Sequence, residues 1–111
     1  MRFQVSFPRE NITTLLRRCG YSADGTDEKT GELRFFRSLG GGYYPRYHLY
    51  CVSQDKERKA LCNLHIDQKQ PSYQGVAAHS GEYEGPLLES EMRRIQDFVE
   101  RENSIPREIY E

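Results

Sequence analysis

Arg46-Tyr47-His48-Leu49-Tyr50-Cys51-Val52 and, after the charged segment 53–59, Ala60-Leu61-Cys62-Asn63-Leu64-His65-Ile66-Asp67 decide how this chain folds. Both runs alternate with the two-residue period of a half-buried strand. Tyr47, Leu49 and Cys51 share one side of the first run, and Arg46, His48 and Tyr50 share the other. In the second run Cys62, Leu64 and Ile66 make an apolar side, leaving Asn63, His65 and Asp67 on the polar one. The short connection predicts an antiparallel hairpin. With both apolar sides toward a core, the register must pair odd with even positions, because a one-residue slip would invert every side chain. One such register sets His48 against His65, Arg46 against Asp67, Tyr50 against Asn63 and Cys51 against Cys62. Registers displaced by two residues keep the same faces.

Working outward, Glu32 to Ser38 predicts a strand before Gly40-Gly41-Gly42, and the alternation of Phe3, Val5 and Phe7, closed by Pro8, predicts another at the start. Asn11 is placed to cap a helix carrying Ile12, Leu15, Leu16 and Cys19, with Arg17 and Arg18 in its last turn and Gly20 as its stop. Ser22 to Gly31 has almost nothing apolar and reads as a solvated loop. Gln68 to Pro86 lacks either periodicity, and loops of that length often carry function. Leu88, Met92, Ile95 and Val99 then mark an amphipathic helix begun near Pro86. The expectation is a single α+β domain over residues 1–103, ordered β-α-β-β-β-α, with a tail at 104–111. Its sheet should be mostly antiparallel, with both helices packed on one face and the other face left for work.

A chain of 111 residues can bury such a core without metals or disulfides. Lys+Arg 16 against Asp+Glu 17 leaves a formal charge of -1, so nothing in the overall field draws the protein to nucleic acid or to anionic membranes. Any nucleic-acid contact has to be local. No apolar run approaches the about 20 residues that span a bilayer, and Met1 leads directly into a strand; no membrane partner and a cytoplasmic location are expected. Cys19, Cys51 and Cys62 form no C-x-x-C pair and read as buried, reduced thiols.

The polar hairpin face gathers most of the chain's chemistry. As an RNA-interacting surface, it would use His48 and His65 as an acid/base pair, one imidazole taking a 2′-hydroxyl proton while the other assists the leaving oxygen. Arg46 would neutralise phosphate, and Tyr44, Tyr47 or Tyr50 would stack on unpaired bases, with Asn63, Asp67, His79 and Glu82 as further binding residues. As a metal site, His48, His65, Asp67 and His79 would supply nitrogen and oxygen ligands to zinc or another transition ion. As a protein-interaction module, the chain would present Tyr43-Tyr44-Pro45-Arg46-Tyr47 as an adhesive surface to another protein. Against these stands a plain structural role: cross-strand neighbours and a surface ion pair of little value. No phosphate-binding glycine motif and no G-x-S-x-G is present.

Two resemblances extend these readings. Tyr44-Pro45-Arg46-Tyr47-His48-Leu49-Tyr50, Leu64-His65-Ile66-Asp67-Gln68-Lys69-Gln70-Pro71-Ser72-Tyr73 and Ala78-His79-Ser80-Gly81-Glu82-Tyr83 resemble segments of a family of small prokaryotic proteins, a likeness that brings no activity with it. Helix, three strands, helix, with Leu15-Leu16 leading to Gly20-Tyr21 and a histidine on the middle strand, is similar to the HicA-type toxins, double-stranded-RNA-binding-like domains that cleave messenger RNA. That likeness implies a catalytic position for His48. The chain departs from it in lacking a Gly-Ser-His type motif, in its extra first strand and in its balanced charge.

Overall fold

The hairpin that the sequence requires is present in the structure, a computed structural model, with residues 46–54 paired antiparallel to residues 59–67. Residues 1–54, 56–68, 81–82 and 84–105 are described, with the backbone alone at 81–82. The elements are β1 (Arg2–Ser6), α1 (Ile12–Arg18), β2 (Ser22–Thr26), β3 (Leu33–Ser38), β4 (Arg46–Gln54), β5 (Lys59–Asp67), β6 (Gly81–Glu82) and α2 (Pro86–Ser104). All described pairings are antiparallel, in the order β1-β5-β4-β3-β2, and β6 pairs with β5 opposite Ile66 and Asp67, past the stretch that β1 occupies. This is an α+β fold.

Both helices lie against one face of the sheet. Phe3 and Val5 of β1, Phe35 of β3, Leu49 and Cys51 of β4, and Cys62, Leu64 and Ile66 of β5 form one buried cluster with Ile12, Leu15 and Leu16 of α1 and Leu88, Ile95 and Val99 of α2. Burying a Leu or Ile side chain of this kind stabilises a fold by about 1.5–3 kcal/mol, so this face holds the molecule together. The caps follow the sequence: the Asn11 side chain accepts a 2.8 Å hydrogen bond from the Thr14 amide, and Gly20 after the helix has φ +104°, a conformation glycine adopts without strain.

The register of β4 on β5 puts His48 opposite His65, Arg46 opposite Asp67, Tyr50 opposite Asn63 and Cys51 opposite Cys62. Among the registers that parity allows, this one brings the two thiols together inside the core, Sγ to Sγ 2.8 Å. The hydrogen bond to Cys62 and then burial raise the Cys51 thiol pKa far above its ordinary value.

Three features differ from the sequence expectation, the first being that Gly81–Glu82, inside the stretch expected as loop, forms the short strand β6. Ser22–Thr26, expected as loop, is an edge strand whose five residues are all exposed. It is held by backbone pairing to β3 and has no apolar side, so hydropathy could not reveal it. Glu91, one of the glutamates early in the last helix, is buried: it accepts hydrogen bonds from the Tyr21 hydroxyl at 2.7 Å, from Arg94 Nε and Nη2 at 2.8 and 2.9 Å, and from Arg37 Nη1 at 3.3 Å. Charge-assisted bonds of this kind satisfy a carboxylate that would otherwise be expensive to bury. No helix among the described residues is long and apolar enough to cross a membrane.

Candidate functional site

The face of the sheet opposite the helices carries Arg46, His48 and Tyr50 from β4 and Asn63, His65 and Asp67 from β5. Strand alternation places them there, and the register makes them neighbours. Three of them are more deeply buried than residues on an open sheet face usually are: Arg46 and His65 are each 7 % exposed and His48 is 8 %. Aromatic rings provide part of the cover. The Tyr50 ring stacks on His65 with centroids 5.2 Å apart and lies 4.7 Å from the ring of His48.

Asp67 organises the centre. Its Oδ2 lies 2.8 Å from His48 Nδ1 and its Oδ1 3.2 Å from His65 Nε2, so one carboxylate reaches both imidazoles. The imidazole rings stand 5.2 Å apart. One donor atom from each of His48, His65 and Asp67 can be chosen so that no two are more than 4.8 Å apart. His48 Nε2, on the far side of its ring, faces Asp24 Oδ2 of β2 at 3.4 Å. Burial lowers the pKa of His65 against the opposing pull of Asp67, favouring the neutral imidazole.

Arg46 borders this centre. Its guanidinium carbon lies 4.4 Å from the ring centroid of Tyr43 and 4.9 Å from those of Phe36 and Tyr44, and its Nε is 3.7 Å from Asp67 Oδ2. That last separation makes an ion pair, not a hydrogen bond. Nε and Nη1 of Arg46 are buried with no hydrogen-bond partner among the described residues.

The remaining site residues of the sequence reading divide. Tyr44 and Tyr50 stay on this side, in contact with Arg46 and the imidazoles. Asn63 also faces this side, and its Oδ1 accepts from the Met1 ammonium at 3.3 Å. Tyr47 does not belong here: it points into the core and is 6 % exposed, because odd positions of β4 face the helices. A ligand on the open face cannot stack on it. Glu82 contributes a backbone pairing with Ile66, and His79 lies outside the described residues.

Asp24 and Phe36 were not anticipated. Phe36 pairs directly with His48, so strand parity held its signal; Asp24 sits in the stretch read as loop and carried none. No family model, no curated protein and no solved structure matches this chain.

Proposed function

We propose that this face binds a divalent transition-metal ion of the zinc type, with His48, His65 and Asp67 as its protein ligands. The observation that carries the reading is the convergence of two imidazole nitrogens and a carboxylate within 4.8 Å of one another. Ligands about 2.1 Å from a tetrahedral ion stand about 3.4 Å apart. The carboxylate already lies at 2.8 and 3.2 Å from the two nitrogens, so modest side-chain adjustment suffices.

The donor set fits borderline ions such as zinc better than calcium or magnesium, which prefer oxygen. With Nδ1 of His48 on the ion, its Nε2–H is left to donate toward Asp24, the kind of outer carboxylate that orients a metal-bound histidine. Three protein ligands leave a coordination position for water or substrate, as in catalytic zinc sites, while a purely structural site is usually closed by four. There the ion would act as a Lewis acid and lower the pKa of a bound water.

Chelator-treated protein titrated with zinc against a chromogenic chelator tests this. One equivalent should bind, and H48A, H65A and D67N should each weaken binding by at least about 100-fold, more than the loss of an outer partner brings. Y50F should not. No zinc uptake, or uptake indifferent to all three variants, overturns the reading.

A second reading keeps His48 and His65 as a metal-free acid/base pair acting on RNA. It is favoured by the shared Asp67 carboxylate, which would orient both rings, and by the guanidinium beside them. RNA cleavage that persists in chelator and vanishes in both H48A and H65A would select it.

A further inference from the structure

Arg46 is costly to the fold as it stands. Its guanidinium is enclosed by Phe36, Tyr43 and Tyr44, and its side chain is 8 % exposed with Nε and Nη1 lacking a hydrogen-bond partner among the described residues. Aromatic faces stabilise the charge but do not replace good oxygen acceptors for the N–H groups. The ion pair with Asp67, at 3.7 Å, is its one close anionic contact among the described residues.

Metal binding at the site proposed above would change that balance. The Asp67 oxygen nearest Arg46 is also the one nearest His48, so an ion held there draws on the same negative charge that now faces the guanidinium. A divalent cation and a guanidinium against Asp67 leave the cluster net positive, even when Asp24 at its rim is counted. A buried cluster with excess positive charge calls for an anion. Two features limit which anion fits. The open metal position takes an oxygen, and the fixed fork of a guanidinium matches a group offering several oxygens at once.

We infer that the metal site takes a phosphate group, with one oxygen on the ion and others accepting from the guanidinium of Arg46. This rests on the metal reading and extends it to the class of ligand. The three rings hold the guanidinium beside the ion before the ligand arrives, so little side-chain entropy remains to be lost on binding.

Cobalt(II) in place of zinc makes both halves visible, since its visible absorption reports the ligands around it. Inorganic phosphate should shift the spectrum of the cobalt-loaded protein and show strongly enhanced phosphorus-31 relaxation, while acetate at equal concentration should leave the spectrum as it was. At cobalt saturation R46M should raise the phosphate midpoint at least about 10-fold, and R46K, which keeps the charge without the fork, should fall between. If R46M does not fold, the relaxation measurement on the wild-type protein decides alone. A cobalt spectrum indifferent to phosphate overturns this inference and leaves the metal reading standing. Equal response to acetate overturns the phosphate class, and an unchanged midpoint in R46M overturns the part given to Arg46. Absence of any cobalt band overturns the metal reading itself, and this inference with it.

Discussion

His48 and His65 face each other across the β4–β5 ladder with ring centroids 5.2 Å apart, on the side of the sheet that the helices leave uncovered. The hydrophobic cluster on the other side builds the core without them. Apolar residues at these buried positions would serve packing as well or better, since replacing buried charged groups by well-packed hydrophobic ones is often neutral or stabilising. Keeping two imidazoles, a carboxylate and a guanidinium together there argues for a ligand.

The thiols should take no part in metal binding. Cys51 and Cys62 lie on the core side of the same two strands, fully buried, and burial also raises the Cys19 pKa. A thiolate-specific alkylating reagent at neutral pH should label none of the three in the folded protein and all three in denaturant, and zinc uptake should survive C19A. Rapid labelling of Cys51 or Cys62 under native conditions would contradict the packing.

Glu91 couples α2 to Arg37 of β3 and to Tyr21 ahead of β2, with Arg94 of its own helix completing the set. E91A should cost between the about 1 kcal/mol of an exposed pair and the about 3–5 kcal/mol of breaking a buried one, because the two arginines are partly open to solvent while the carboxylate is not. Burial, followed by the charge of Glu91 and the hydrogen bond to it, raises the Tyr21 pKa well above its ordinary value. Above about pH 10 the unfolded phenol loses its proton while the folded one keeps it, so this contribution to stability is full below that pH and declines as pH rises. Chemical denaturation from pH 8 to 11 should show a steeper loss in the wild-type protein than in Y21F; parallel curves would contradict the assignment.

Tyr47 and Tyr43 should separate cleanly. Y47A removes a core side chain and should destabilise by about 3 kcal/mol or more, in the range of large aromatic truncations. Y43A, at a residue 57 % exposed, should cost much less and show chiefly in the environment of Arg46. Comparable losses in thermal or urea unfolding would mean that Tyr47 is wrongly assigned to the core.

Much of this was legible in the chain. Alternation through residues 46–52 and 60–67 assigns both faces of the hairpin, and the pairing of His48 with His65 is among the registers that parity allows. Asn11 and Pro86 mark helix starts by local chemistry that needs no tertiary context. What could not be read depends on partners distant in sequence. β2 has no buried side chain to betray it, the burial of Glu91 requires Tyr21 and Arg37 to arrive from elsewhere, and parity puts His48 on the polar side without saying that this side is covered. Tyr47 was legible as a core residue from the same parity; its place in a tyrosine-rich run drew it toward the surface reading.

The most direct measurement is of the imidazole nitrogens themselves: long-range 1H–15N correlation spectra of nitrogen-15-labelled protein, recorded with chelator and then with one equivalent of zinc. The account predicts that Nδ1 of His48 and Nε2 of His65 move together to metal-bound shifts, with Nε2 of His48 remaining protonated toward Asp24. Imidazole spectra unchanged by zinc, or a response confined to His79, would contradict it.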